Sequence, residues 1–320
     1  MLPFESDRDC LASVNTTFAQ TRIPAAEWQA TATAHLQRAK QYTLPARERH
    51  TRHQPHPVQD FLFSYYPFPL SLLEKWHPGV GVSLEEHENT PQHLQTHHYQ
   101  IEHGSIQADR NTLTDKQRKR IGYMIEILEA TRDRAPNFGC HGLHEWAMVF
   151  RGHEIRHQDT LSLRLPQEQI DTLVQSRTIC CSHHDAFRFF ANEAKPYNLL
   201  QPNLETRVDY EQPACLHANM DLYKWAAKAM PWVGSNLLLN CFELALDLRE
   251  LDMRASPYDM SPWQLKAVAI ETPEGRREYE HEQRLLANRA KLLRQQLIDA
   301  LRDVMTYTPC QPNFWRRASK

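Results

Sequence analysis

The sequence predicts a mainly α fold, a single compact helical domain that could include a short pair of β-strands. Glycine is scarce, with nine residues against twenty prolines, which is typical of helices joined by proline-stiffened loops. In the second half of the chain, apolar residues recur every three to four positions over long segments. Alternating β-branched runs are few, and segment 161–165 is the best strand candidate.

The chain shows no clear domain boundary. We expect residues 1–55 to form an N-terminal helix and a basic arm, and residues 56–320 to form a helical catalytic domain continuous with that arm. Segment 85–111 is polar and rich in histidine, which favours a mobile insertion on the surface.

Local sequence signals predict where the first helices begin and end. Pro24 marks a helix start, and the apolar spacing behind it continues to about Tyr42. Segment 47–57 is basic and bounded by proline, so we interpret it as an exposed connection that could touch phosphates. Thr114 and Gln117 have the spacing of a capping box at the start of another helix.

The second half of the chain alternates buried-looking helices with loops. Thr272 followed by Pro273 is a good start for a final amphipathic helix of roughly thirty residues. The other expected helices cover residues 143–150, 183–190, 217–230 and 235–253.

The net charge and the cysteine content argue against several classes of protein. The net charge of −2 argues against a histone-like nucleic-acid binder but leaves room for a local basic groove. We expect a cytoplasmic protein with no membrane partner, because the start of the chain lacks a signal-peptide pattern and no apolar run approaches the ~18 residues of a span. Seven cysteines without a C-x-x-C pair predict buried reduced thiols rather than a disulfide framework or a cysteine zinc site.

Four polar, aromatic-rich blocks contain most of the chemistry. Each sets His, Asp or Glu directly beside large aromatic or aliphatic residues, which a solvated surface has little reason to repeat. The blocks cover residues 140–146, 181–190, 215–225 and 249–259. We interpret them as the walls of one site, although any single block could be a buried ion network that serves packing alone.

Helical spacing groups several of these side chains. His217, Asp221 and Lys224 fall on one helix face together with Trp225, at i, i+4 and i+7 or i+8. A histidine, a carboxylate and a lysine beside a tryptophan form either a catalytic wall or a satisfied buried network.

Two short sequence patterns and one set of histidines are further candidates for functional sites. His153-Glu-Ile-Arg-His157 matches the zinc motif H-E-x-x-H, but Gly152 precedes it and no apolar helical face follows, so we interpret it as a chance match. Pro78-Gly-Val-Gly81 is a weak match to the glycine turn of a helix-hairpin-helix. If a metal such as Zn or Fe is bound, the stronger ligand candidates are His144, His183 and His217.

Several segments also form longer motifs. They are His56-Pro-Val-Gln-Asp-Phe-Leu-Phe-Ser-Tyr-Tyr66, Trp76-His-Pro-Gly79, Gly142-Leu-His-Glu-Trp-Ala-Met-Val149, Cys181-Ser-His-His-Asp-Ala-Phe-Arg-Phe-Phe190, Cys215-Leu-His-Ala-Asn-Met-Asp-Leu-Tyr-Lys-Trp225, Glu250-Leu-Asp-Met-Arg-Ala-Ser-Pro-Tyr-Asp259 and Glu271-Thr-Pro-Glu-Gly275. In these segments the chain resembles a bacterial family that carries the label 3-methyladenine DNA glycosylase. It lacks a convincing helix-hairpin-helix and a four-cysteine cluster, so the resemblance is not to glycosylases built on those features.

The resemblance implies a DNA-repair N-glycosylase that releases alkylated purine from DNA, with DNA as partner and no cofactor. Such a reaction needs a carboxylate near the sugar, an aromatic pocket for a flipped base and cations for the phosphates. Asp221 or Asp185 is the first choice of catalytic carboxylate, with His217 or His183 orienting it. The further carboxylate candidates are Glu145 and Asp252. The candidate stacking rings are Trp146, Phe187, Trp225 and Tyr258, and the candidate phosphate contacts are Arg188, Lys224 and Arg254.

Two other classes of function remain open from the residues. One is a His/carboxylate metalloenzyme, with Zn or Fe, acting on a nucleotide or another small molecule. The other is a non-catalytic binding protein whose buried charges serve packing and specificity.

Overall fold

The computed structural model describes residues 22–152 and 161–306, and the mainly α prediction is confirmed. The longer helices of this part of the chain are α1 (Ala25–Thr51), α4 (Asp115–Asp133), α6 (Gln167–Ser176), α9 (Leu216–Lys228), α10 (Ser235–Arg254) and α11 (Pro273–Met305). The shorter ones are α2 (Phe61–Tyr65), α3 (Ser71–Glu74), α5 (Leu143–Met148), α7 (His184–Phe187) and α8 (Arg207–Tyr210). The strands are β1 (Arg22–Ile23), β2 (Ser83–Glu85), β3 (Tyr99–Glu102) and β4 (Ser105–Ala108).

Helix α1 is longer than the sequence predicts and takes in the first part of the basic segment. It continues through Pro45 to Thr51 rather than ending near Tyr42. Arg47 pairs with Glu74, and Arg49 pairs with Asp60 through two hydrogen bonds. Residues 47–51 are therefore exposed as expected, apart from the half-buried Arg49, but they are helical rather than a connection, and intramolecular carboxylates hold Arg47 and Arg49.

Segment 85–111 forms much of a small sheet, so the expectation of a mobile insertion is wrong. The strand order is β1-β2-β4-β3, with β1 parallel to β2 and the other neighbours antiparallel. The sheet buries a core of its own with the aromatic rings of Trp28 and Trp76, which lie stacked 6.4 Å apart. Leu84, opposite Ile106 in the register, completes that core and explains why so polar a segment is ordered.

Segment 161–165 is not a strand. Its only pairing among the described residues is an isolated antiparallel bridge between Leu163 and Tyr258. Arg164 instead reaches both carboxylate oxygens of Glu271 at 2.6 Å, next to the start of α11. Apolar and polar residues alternate in this segment because the leucines contact the main core while Arg164 makes this ion pair.

Helix α9 lies at the centre of the main core. Every residue from Leu216 to Ala227 is buried, and the helix packs against α10 and α11. Two predicted caps are confirmed at the ends of neighbouring helices: Thr114 forms a capping box with Gln117, and the Thr272 side chain accepts a hydrogen bond from the Gly275 amide. Within the described ranges, no helix has both the length and the apolarity that a membrane crossing needs.

The start of α11 requires a glycine, which gives a test of the fold. A Cβ at Gly275 would lie 2.0 Å from the backbone oxygen of Ala269, whereas a Cβ at Gly122 in α4 would meet nothing within 4 Å. We expect Gly275→Ala to lower the free energy of unfolding by about 3 kcal/mol. Gly122→Ala, the matched control, should raise it by about 0.5–1 kcal/mol through helix propensity. Urea unfolding of both variants tests this, and equal effects would contradict the packing described at α11.

Candidate functional site

One face of the buried helix α9 is polar. His217, Asp221 and Lys224 lie on it, as their spacing predicts, and all three are buried. A charged group in such a position must find partners, since desolvation of an unpaired charge costs several kcal/mol.

The Asp221 carboxylate is held by four donors from different parts of the chain. Tyr66 donates its hydroxyl hydrogen at 2.7 Å, and the His183 Nε2 lies 3.3 Å away. Arg207 donates to the same carboxylate at 2.8 Å, and Lys224 forms an ion pair with it. Burial alone would raise the pKa of Asp221, but Lys224, His183 and Arg207 hold that pKa well below its usual value.

A second acid completes this buried network. Glu211 accepts from Arg207 at 2.6 Å and lies 3.5 Å from the Nε2 of His183. Two carboxylates thus face the two permanent cations of Arg207 and Lys224. The charges of this half of the site balance within the protein itself.

A separate network surrounds Asp252 on α10. Its carboxylate lies 2.7 Å from the Nε2 of His144 and 2.9 Å from Arg249, which also donates to Glu145 at 3.0 Å. Burial alone would lower the pKa of His144, but the Asp252 charge raises it well above its ordinary value. Burial and the same Asp252 charge raise the pKa of Glu145.

His217 lies between the two networks. Its ring centroid is 4.6 Å from that of His144 and 5.5 Å from that of His183. Burial and the neighbouring His144 hold the pKa of His217 well below its usual value. His217 is therefore a neutral imidazole flanked by ion-paired groups.

A pocket of about 250 Å³ opens over this arrangement. It is lined by Phe61, Ser64, Tyr65, Glu145, Met148, Asp185, Ala186, Phe189, His217, Arg249 and Tyr258. The rings of Phe61 and Tyr65 stack 5.0 Å apart, and the Arg249 guanidinium lies 3.8 Å from the Phe61 centroid. Aromatic walls, two carboxylates and a neutral histidine thus share one concave surface.

The Asp185 side of the pocket is the more open one. The Asp185 side chain is 23% exposed and lies 3.3 Å from Arg188 and 3.8 Å from Lys224. Arg188 is 49% exposed, and its guanidinium lies over the Phe189 ring at 4.2 Å. A cation is therefore available to an anionic ligand on this side of the pocket.

Six of the seven predicted binding residues lie outside the pocket lining: Arg188 and Lys224 on the Asp185 side, and four others that make their contacts elsewhere. Trp146 is completely buried and donates its indole hydrogen to the Ala255 carbonyl at 2.9 Å. Phe187 and Trp225 are buried in the main core. Arg254 pairs with Glu282 of α11 at 2.8 Å and so contributes to helix packing.

The remaining predicted residues fall into two groups. Glu145, Asp185, His217 and Tyr258 line the pocket. Asp221, Asp252, His183 and Lys224 lie behind it and hold one another or the lining residues. Arg249 pairs with both Glu145 and Asp252.

Sequence reasoning missed several residues of this site. Phe61 and Tyr65 lie in the motif that covers residues 56–66, and Phe189 lies in the block 181–190, but none of the three was singled out as a site residue. Arg249 stands three residues before Asp252 on a helix, a spacing that could have indicated their pairing. Arg207 and Glu211 carry no such local signal for their contact with Asp221.

In the part of the chain that the structure describes, two groups of side chains have the geometry to hold a metal ion. The ligand atoms of His144, His217 and Asp252 lie within 4.8 Å of one another, and so do those of His183, Asp185 and Asp221. The buried carboxylates in both groups already pair with arginine or lysine, so a dication would compete with these cations. The proposed H-E-x-x-H pair, His153 and His157, lies outside the described residues.

The second short pattern packs against the protein rather than facing a ligand. The Val80 amide donates to the Trp232 carbonyl at 2.8 Å. A Cβ at Gly79 would lie 3.1 Å from the Gly234 nitrogen, so a close backbone approach explains this glycine.

Comparison with known proteins adds no relative. No family model matches the chain, and neither a curated protein nor a solved structure matches it. The resemblance noted from the sequence therefore stays a prediction, and the function has to be argued from the site.

The Asp221 network predicts a large loss of stability when the carboxylate charge is removed. Asp221→Asn leaves Arg207 and Lys224 facing one another without their shared anion, so we expect the free energy of unfolding to fall by about 3–5 kcal/mol. Asp247→Asn is the matched control, because Asp247 pairs with Arg289 on the surface and is 50% exposed. It should change stability by no more than about 1 kcal/mol. Chemical denaturation measures both, and similar losses would refute the special position of Asp221.

Proposed function

We propose that the protein is an N-glycosidic hydrolase that releases an alkylated purine of the 3-methyladenine type from DNA. One observation carries the proposal: an aromatic-walled pocket of about 250 Å³ has Asp185 and Glu145 in its lining and neutral His217 among them. The volume suits a single planar heterocycle rather than a larger ligand. The family resemblance of the sequence points to the same substrate class.

The walls suit a positively charged base. Tyr65, Phe189 and Tyr258 present aromatic surface to the pocket. An N3-methylated purine carries positive charge, which the electron-rich faces of aromatic rings attract. A flipped base would thus be held by stacking, as in other enzymes that act on bases outside the helix.

Asp185 is the carboxylate best placed for the reaction. Departure of the base breaks the C1′–N9 bond, and the bonding electrons neutralise the methylated purine while positive charge grows on the sugar. Asp185 stabilises this charge and accepts a proton from the water that attacks C1′. Lys224 and Arg188 flank the Asp185 carboxylate with two basic side chains.

Glu145 and His217 contact the base in this proposal. The raised pKa of Glu145 favours its protonated form, which can donate a hydrogen bond to a purine nitrogen. His217 is neutral and therefore offers one donor and one acceptor without repelling a cationic base. Both side chains reach the pocket from helices that the buried networks hold in place.

Asp221, the alternative first choice from the sequence, is a positioning residue in this proposal. Its carboxylate is surrounded by four donors and lies outside the pocket lining. It holds Lys224, whose ammonium group lies 3.8 Å from Asp185. Asp221 thereby fixes a cation beside the reacting carboxylate.

The proposal predicts a specific loss of base release. On DNA methylated at adenine N3, Asp185→Asn should lower the rate of free-base release by about 100-fold or more, because the acceptor of the water proton is lost. Arg188→Ala should raise KM and reduce the salt dependence of binding, since a phosphate contact disappears. Chromatography of released base measures the rates.

The control for these variants is Asp247→Asn, which changes a surface carboxylate far from the pocket lining and should retain full activity. Circular dichroism establishes that each variant is folded. Absence of base release by the unmodified protein would refute the proposal.

Elemental analysis of the same sample then tests the alternative function. Stoichiometric Zn or Fe that is lost in His217→Ala but retained in His281→Ala, a change on the exposed face of α11, would favour a metalloenzyme.

A further inference from the structure

Four cysteines converge on a small cavity behind the candidate pocket. Of the five described cysteines, all free thiols, Cys140, Cys180, Cys181 and Cys215 line this cavity of about 20 Å³. They come from three separate segments: the loop before α5, the segment before α7 and the N-cap of α9. Sequence spacing gave no indication of this cluster, because only the fold brings the segments together.

One of these thiols stands at the end of a histidine–carboxylate pair. The Sγ of Cys140 lies 3.9 Å from the Nδ1 of His144, whose Nε2 lies 2.7 Å from Asp252. Arg249 holds the other oxygen of Asp252 at 2.9 Å. A thiol, an imidazole and a carboxylate in this order have the arrangement that activates a nucleophile, with the carboxylate orienting the ring.

Cys140 differs from its three neighbours in its surroundings. Burial raises the pKa of Cys180, Cys181 and Cys215, and a negative charge on Cys140 raises each of them further. Cys140, which is half-buried like Cys180 and Cys215, has the His144 imidazole beside it. Cys140 is therefore the thiol of this cluster that the histidine–carboxylate pair is placed to activate.

The cavity has room and polar groups for a very small molecule only. A volume of about 20 Å³ fits a water-sized molecule and excludes a peptide or an organic ester. Ser182 Oγ and Gln283 Oε1 belong to buried side chains of its lining, and neither atom has a hydrogen-bond partner among residues 22–152 and 161–306. A small polar reactant at Cys140 would satisfy these atoms.

We propose that Cys140 is a peroxide-reactive thiol and that a neighbouring cysteine of the same cavity resolves its oxidised form to a disulfide. The substrate class is hydrogen peroxide or a small hydroperoxide. His144 is the general acid for the leaving group, and Asp252 is a positioning residue that orients the His144 ring. This activity is separate from base release, because Cys140 does not line the candidate pocket.

The two steps balance in atoms and electrons. The Cys140 thiolate attacks one peroxide oxygen, the O–O bond breaks and a sulfenic acid forms, while the His144 imidazolium gives its proton to the leaving hydroxide to form water. The thiol of Cys180, Cys181 or Cys215 then attacks this sulfur. The S–O bond breaks, a disulfide forms, and the hydroxide leaves with the proton of the second thiol as water. Two thiols are oxidised and one peroxide is reduced.

The test uses the full chain with Cys10 and Cys310, which lie outside the described residues, both changed to serine. After addition of hydrogen peroxide, we expect the loss of two titratable thiols, recovery of both with dithiothreitol, and a disulfide that peptide mapping assigns to Cys140 and one cavity cysteine. Cys140→Ser should abolish the disulfide. Cys241→Ser is the matched control, because Cys241 is a buried free thiol of α10 outside the cavity lining.

A second measurement distinguishes activation of Cys140 by His144 from the mere proximity of the thiols. His144→Gln should slow the reaction with peroxide by on the order of 100-fold without changing which disulfide forms. The proposal is overturned if Cys140 reacts no faster than Cys241, or if Cys140→Ser forms the same amount of disulfide. It is also overturned if His144→Gln reacts at the unmodified rate. Should His144→Gln fail to fold, the comparison of Cys140→Ser with Cys241→Ser still decides between these outcomes.

Discussion

One buried carboxylate, that of Asp221, fixes several segments of the chain relative to one another. Asp221 lies in the fully buried helix α9, where an unpaired charge would be prohibitively unfavourable, and its four donors come from four places in the chain. Tyr66 follows α2, His183 precedes α7, Arg207 begins α8 and Lys224 lies one turn further along α9. Satisfying Asp221 therefore fixes these segments relative to the central helix and places the pocket walls that they carry.

The two buried networks differ in their charge balance. As a result, the site contains one acid whose pKa is lowered and another whose pKa is raised. Around Asp221, arginine and lysine match the carboxylates and keep the acid ionised. Around Asp252, burial and the Asp252 charge raise the pKa of Glu145, and the Asp252 charge also raises that of His144. His217, between them, is kept neutral. One compact region thus holds ionised, protonatable and neutral groups side by side.

Local periodicity predicted the parts of this structure that depend on neighbours in sequence. The shared face of His217, Asp221 and Lys224 and the caps at Thr114 and Thr272 follow from helical spacing and hydrogen-bonding rules. Contacts between distant segments could not be predicted in this way. Arg207 reaches Asp221 and Cys140 meets Cys215 only after the helices pack. The small sheet escaped prediction for a related reason: its strands have two to four residues each, too few for a clear alternation.

The pocket and the thiol cavity are joined by one chain of charged contacts. Glu145 lines the pocket and accepts from Arg249, Arg249 holds Asp252, Asp252 pairs with His144, and His144 contacts Cys140. His217 also lines both the pocket and the thiol cavity. In the proposed scheme, two different reactions are therefore supported by one continuous set of buried side chains.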